Sequence, residues 1–327
     1  MTHTTGKQSR FLNWLKWLVT LVRIPNLLIV ILIELLLRCC VLKPILFGGD
    51  PQYLTALPDY IVFILATVLL AAGGYVINDY FDVRIDRVNK PESVVVSKMI
   101  QPRSAMKLHL LLNAVAVVLG FYLSWRIRSL WFGLLFPCGA LFFWFYSARW
   151  KQLFIWKNLI VAFISATLIV LVLLFEFFHL RLNPDFFATV IGNLKGVALV
   201  FLAYACFAFL VSLFREVIKD MEDIKGDAQF GTHSLPSVIG ITWSKVIVVG
   251  IIVLAMALLS YCQLVIFRLG LAGLFWYLAV AVQLPALFLI ITVIKAEKKQ
   301  QFRFASGISK LIMLTGILSM IFISFRF

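Results

Sequence analysis

Runs of about 20 apolar residues, separated by shorter polar or turn-forming stretches, recur nine times along the 327-residue chain, at 24–46, 59–77, 105–125, 130–147, 156–178, 196–216, 244–267, 271–294 and 306–325. A hydrocarbon layer about 30 Å thick takes roughly 20 helical residues to cross. Only helices and closed barrels satisfy their backbone polar groups there. The pattern therefore predicts an all-α integral membrane protein with nine transmembrane helices. The amphipathic stretch from Phe11 to Trp17 suits the headgroup level through Trp14, Lys16 and Trp17, so residues 1–22 are expected as a cytoplasmic, interfacial lead-in. The first apolar run lacks a small-residue cleavage site and continues as a full span, which argues against a cleaved signal peptide. No repeat period or soluble appendage is visible, so residues 1–327 are expected to form one membrane domain.

Composition sharpens this picture. With 62% hydrophobic and 14% charged residues and a mean hydropathy of +1.00, the chain has too much apolar surface for one aqueous core and too few charges to stay solvated as a disordered chain. The formal net charge is +15, and its placement matters more than its size. Of the 30 Lys and Arg, 21 fall in the N-terminal segment and the alternate connections that share its side, and eight fall on the other. The excess of cytoplasmic basic residues then puts the N-terminus and the polar connections at 78–104 and 217–243 in the cytoplasm, and the C-terminus outside. A multi-pass inner-membrane location is expected, with anionic headgroups rather than nucleic acid as the partner of the basic residues. The five cysteines (39, 40, 138, 206 and 262) include no C-x-x-C pair and read as small buried packing residues.

The acids carry the chemistry. Only 15 are present, and eight of them lie within 78–86 and 216–227. Carboxylates are costly near hydrocarbon and mark functional sites there. On a continuing helix, Asn78, Asp82 and Asp86 recur at i, i+4 and i+8, and Asp220, Asp223 and Asp227 at i, i+3 and i+7, each set on one face. Like charges at that spacing repel and call for a cation. Oxygen donors without nearby His or Cys select a hard ion, and Mg²⁺ typically binds through one or two carboxylates plus substrate phosphates. The expected ligand is a Mg²⁺-bridged diphosphate, with Arg84, Lys90, Lys219 and Lys225 neutralising the remaining charge. Asp79 and Glu222 point off these faces and read equally well as surface charges.

These residues resemble the UbiA superfamily of intramembrane prenyltransferases. Asn78, Asp82 and Asp86 match its N-x-x-x-D-x-x-x-D motif. Asp220, Asp223 and Asp227 match its second Asp-rich motif, Arg23-Ile24-Pro25-Asn26 its R-x-P-N element, and Tyr146 and Lys151 its Tyr and Lys after the fourth span. The resemblance implies a nine-helix bundle around a central cavity. It also implies Mg²⁺ held by Asn78, Asp82, Asp86, Asp220, Asp223 and Asp227, with Arg23, Asn26, Tyr146 and Lys151 lining the diphosphate and cation region. The implied reaction is transfer of a prenyl group from an allylic diphosphate to an acceptor, with the site opening toward the cytoplasm. The 215–227 stretch, followed by Gly231, Leu235-Pro236 and Gly240, looks most like the branch that transfers geranylgeranyl to geranylgeranylglycerol phosphate. Where that family continues with Arg-Pro and Ser-Gly, however, this chain reads Glu92-Ser93-Val94-Val95-Val96-Ser97-Lys98. Aromatic acceptors of the quinone, chlorophyll or haem type, and a cation-coupled transporter in a different class, remain alternatives at this point. No obligate protein partner is implied.

Overall fold

The computed structural model describes residues 16–47, 54–89, 94–229 and 234–325, without the side chains of 47, 152 and 225–229. Among the described residues, nine helices are long and apolar enough to cross a membrane. The chain divides into two compact units, one comprising residues 1–31 and 56–150, the other 32–55 and 151–327. Helix α1, Ile24–Leu36, runs on through a π-helical stretch, Leu37–Leu42, into α2, Lys43–Phe47.

The first unit is built on α3 (Leu57–Asn89), α4 (Pro102–Arg126) and α5 (Leu130–Ala148), each packed against the other two. Small residues set the spacing. A methyl at Gly73 would lie 2.6 Å from Asn113 Nδ2, one at Gly74 3.0 Å from the Phe143 ring, and one at Gly120 2.3 Å from Phe136 Cδ2. Close backbone approach supplies the van der Waals contact that joins helices where lipid removes the hydrophobic drive. The approach also brings His109 Nδ1 to 2.9 Å from the Gly73 carbonyl. At the N-terminal end of α3, the buried Asp59 accepts from Tyr122 Oη at 3.0 Å and Arg126 Nε at 2.8 Å.

In the second unit α6 (Trp156–Leu180), α8 (Leu235–Arg268) and α11 (Lys299–Leu318) pack around α7 (Pro184–Gln229). Phe214, Val217, Ile218 and Met221, spaced i, i+3, i+4 and i+7 on α7, are all buried. They form the apolar stripe that seats this end of the helix against Leu235, Phe302 and their neighbours. Between α9 (Ala272–Leu278) and α10 (Leu284–Lys295) the chain passes through a second π stretch, Ala279–Gln283. Pro285 has no N–H to give the carbonyl four residues back. That carbonyl, of Ala281, instead accepts from Thr315 Oγ1 at 2.8 Å. A four-residue helix, α12 (Ile321–Ser324), closes the described chain.

Two expectations change. The connections at 78–104 and 217–243 are not long loops. Helix α3 runs on to Asn89 and α7 to Gln229, while α4 starts at Pro102 and α8 at Leu235. Charged residues end an apolar run but do not break a helix. At 33 residues and 1.5 Å per residue, α3 is about 50 Å long, so its last turns outrun a hydrocarbon layer of about 30 Å. Second, none of the five cysteines is buried: Cys39 and Cys138 are exposed and the rest intermediate. Helix α8 is interrupted at Gly240, whose φ of 83° and ψ of 163° belong to a region open essentially to glycine alone.

Candidate active site

The first acidic motif occupies the end of α3 that overruns the apolar span. Asn78 Nδ2 donates to Asp82 Oδ2 at 2.8 Å, which places these two on one face, and Asp86 stands half-buried one turn further on. Asp79 is no plain surface charge. Its Oδ1 accepts from Arg23 Nη2 at 2.7 Å, and the Arg23 guanidinium lies 5.0 Å from the Tyr75 ring centroid. Arg23 has a φ of 55°, and its carbonyl accepts from the Asn26 amide at 2.8 Å. The R-x-P-N element is thus the turn that starts α1, with Asn26 half-buried beside it. Arg84 is exposed. Lys90 lies outside the described residues.

The connection after this motif is folded onto it. Val94, Val95 and Val96 are buried, and Val95 and Val96 share a cluster with Leu21, Val76 and Ala105 against which Tyr80 and Val83 pack. Ser97, with a φ of 69°, donates its amide to the Ile100 carbonyl at 2.8 Å, and its hydroxyl accepts from Arg87 Nη2 at 2.7 Å. The valines that depart from the family pattern are therefore anchors of a tight turn beside the motif helix.

The second motif lies on α7. Asp220 is buried, its Oδ1 2.7 Å from Lys157 Nζ and its Oδ2 accepting from Asn158 Nδ2 at 2.9 Å. Both partners come from the first turn of α6, directly after Ile155, whose φ of 62° bends the chain into that helix. Asp223 is half-buried, 4.0 Å from Lys299 Nζ, and the buried Glu222 pairs with Arg303 Nε at 3.0 Å. Asp227 has a helical backbone. Lys219, expected as a phosphate contact, holds Glu216 at 3.1 Å, and Arg215 holds the same carboxylate at 2.9 Å. Tyr146 is half-buried near the end of α5, and Lys151 sits in a 3₁₀ turn, Trp150–Gln152. Lys157, Asn158, Lys299 and Arg303 were not legible as site neighbours. The one signal in the text is a Lys-Asn pair opening an otherwise apolar span.

Among the described residues, no three His, Cys, Asp or Glu side chains are grouped closely enough to enclose a metal on their own. The donors come as a carboxylate and an amide on α3, and as two carboxylates a turn apart on α7. Either pair fits a hard ion that takes one or two protein oxygens and fills its shell from water and phosphate, as Mg²⁺ does, and does not suit a fully protein-caged metal. A cation already stands at one of these oxygens, the Lys157 ammonium on Asp220.

This fold is that of solved UbiA-type proteins. A digeranylgeranylglyceryl phosphate synthase structure covers 96% of this chain and 99% of its own, with a TM-score of 0.62 at 21% identity. A UbiA homologue from Archaeoglobus fulgidus, bound to GPP and Mg²⁺, covers 93% and 99% with a TM-score of 0.51 at 16% identity. Residues 47–312 match the UbiA prenyltransferase family, and the chain belongs to it. Among its relatives, the digeranylgeranylglyceryl phosphate synthase of Hyperthermus butylicus is 32% identical over 245 residues, 74% of each chain. The one of Methanothermobacter thermautotrophicus is 30% identical over 199 residues, 60% of this chain and 62% of the relative. The match thus spans under two thirds of the latter protein.

Proposed function

We propose that this multi-pass membrane protein transfers a geranylgeranyl group from its diphosphate to geranylgeranylglyceryl phosphate, with Mg²⁺ bound at the acidic motifs and the site opening toward the cytoplasm. The observation that carries the reading is the pairing of Asn78 with Asp82 on a helix that continues past its apolar span, in a chain of this family. The carboxylates of Asp82, Asp86, Asp220 and Asp223 hold the ion, with Asn78 and Asp227 as oxygen partners. When bound, Mg²⁺ draws charge from the diphosphate and so eases breakage of the allylic C–O bond. Lys151 and Arg84 neutralise phosphate oxygens, and Tyr146 and Asn26 orient the allylic end. Aliphatic and aromatic side chains of the spans hold the tail and keep water from the allylic carbon. The acceptor hydroxyl oxygen forms the new ether bond to the allylic carbon, diphosphate leaves, and the hydroxyl proton passes to the departing diphosphate or to water. The names of the relatives support the lipid acceptor.

The test offers purified protein, Mg²⁺ and geranylgeranyl diphosphate either geranylgeranylglyceryl phosphate or a panel of hydroxybenzoates and naphthoates. The reading expects a diether product with the first and none with the second. A prenylated aromatic product would move the chain to the aromatic branch. Ion flux without diphosphate release would remove it from catalysis altogether.

A further inference from the structure

From the salt bridge on the second motif we infer that Lys157 is a tethered cation that occupies the metal-facing oxygen of Asp220 until diphosphate arrives, so that metal binding at this motif depends on diphosphate. This rests on the reading of Asp220 as a metal carrier. Three observations make the case. First, the two oxygens of the buried Asp220 are divided between different groups, the Lys157 ammonium 2.7 Å from Oδ1 and the Asn158 amide donating to Oδ2 at 2.9 Å. Oδ1, which bears the cation, is the oxygen a metal would take. Oδ2 stays with the neutral amide in either state, so exchange at Oδ1 leaves the carboxylate seated.

Second, both groups come from consecutive residues in the first turn of α6, just after the left-handed Ile155. A Lys side chain there has four methylenes of reach. It can swing off Asp220 onto a nearby anion while the helix and Asn158 stay in place. Third, the neighbouring charges are taken. Glu216 has Arg215 and Lys219, and Glu222 has Arg303. The lysine on Asp220 is thus the cation placed where a metal must enter.

A buried carboxylate beside one positive charge repels a second cation unless the first leaves. An opposite charge within about 4 Å shifts the affinity of a carboxylate for another cation, the proton, by roughly one to three decades. A divalent ion competing with Lys157 meets a penalty of the same kind. Diphosphate removes it by offering the ammonium a new partner, and the two ligands are then reciprocally coupled. The functional consequence is order: metal enters with its diphosphate, and the motif does not fill with metal alone.

Mn²⁺ binding to the full-length protein in detergent, read by the EPR signal of free aqueous Mn²⁺, tests this without turnover. For the wild type without diphosphate, weak binding is expected, tightening strongly when geranylgeranyl thiodiphosphate, which does not react, is added. Lys157→Gln and Lys157→Ala, read on whichever is folded by circular dichroism, should bind Mn²⁺ alone about tenfold more tightly and gain much less from the thiodiphosphate. Lys157→Arg should restore wild-type behaviour. Unchanged or weaker Mn²⁺ binding in the neutral variants would overturn the inference by making Lys157 a structural support. Wild-type affinity independent of thiodiphosphate would also overturn it. Asp220→Asn separates the two levels: if it binds Mn²⁺ as the wild type does, the metal-carrier reading of Asp220 fails. If it loses Mn²⁺ while the Lys157 variants match wild type, only the present inference fails.

Discussion

Glu176 offers a sharp test of what holds the second unit together. Its carboxylate, 1% exposed, stands 3.6 Å from Arg38 Nη1 and accepts at Oε2 from Thr55 Oγ1 at 2.8 Å and the Thr55 amide at 3.2 Å. Arg38 in turn donates Nη2 to the Thr55 carbonyl. Three segments, the π stretch after α1, the end of the link to α3, and α6, meet at this one carboxylate. Glu176→Leu removes the anion from beside a guanidinium only 10% exposed. Removing one partner of a buried pair typically costs about 3 to 5 kcal/mol, whereas replacing both with apolar groups of similar size is often close to neutral. The double variant Glu176→Leu/Arg38→Leu should therefore recover most of that loss. About 1 kcal/mol should remain for the orphaned Thr55 hydrogen bonds. The assay is reversible unfolding in mixed micelles by SDS titration, followed by tryptophan fluorescence, for both singles and the double. Glu176 lies 19 residues beyond Lys157 on α6, about 28 Å along the axis. Turnover per folded molecule should accordingly stay near wild type in all three. A double variant no more stable than the worse single would refute the reasoning, as would a Glu176→Leu protein of wild-type stability.

Other consequences follow from the first unit. Gly120→Ala puts a methyl 2.3 Å from Phe136 Cδ2, so α4 and α5 must separate or the ring must leave its rotamer. A loss of about 1 to 3 kcal/mol is expected, seen as a lower melting temperature in detergent, and an unchanged one would show that the packing is looser than described. Arg23→Ala leaves Asp79 without its guanidinium. With the pair 37% and 18% exposed, the expected cost is about 1 to 2 kcal/mol, between the surface and buried limits. Asp79→Asn should cost stability but keep the Mg²⁺ dependence of turnover. A loss of that dependence would move Asp79 into the metal set.

The nine spans were legible because each is an apolar run of membrane length, and a run of that kind has few other fates. The overrun of α3 and α7 was not, since Asp82, Arg84 and Asp86 look alike in text whether they ride a helix or a loop. Helical spacing did carry the Asn78–Asp82 face correctly, because that pairing is local. What failed was long-range. Asp79 reads as a surface charge until Arg23 reaches it from 56 residues away, and Glu222 until Arg303 does from 81. The Lys157–Asn158 hold on Asp220 spans 62 residues at its amide end, and no periodicity reports such a contact. Arg38 and Arg126, two of the eight basic residues counted toward the outer side, likewise give no sign in the text of their partners. In the fold they serve Glu176 and Asp59. The valines at 94–96 looked like a break in a functional loop and are instead the buried side of a turn.

Metal carriage by the two acidic motifs is what the proposed reaction turns on. Its most direct test is Mg²⁺-dependent release of diphosphate from geranylgeranyl diphosphate by wild type and by Asp82→Asn, with folded protein measured in the same samples. The account expects the variant to fold as the wild type does, because an amide still accepts from Asn78, and to lose at least about 100-fold in rate, the scale on which removal of a single transition-state charge partner is felt. A folded Asp82→Asn protein that keeps most of the wild-type rate at the same Mg²⁺ concentration would contradict it.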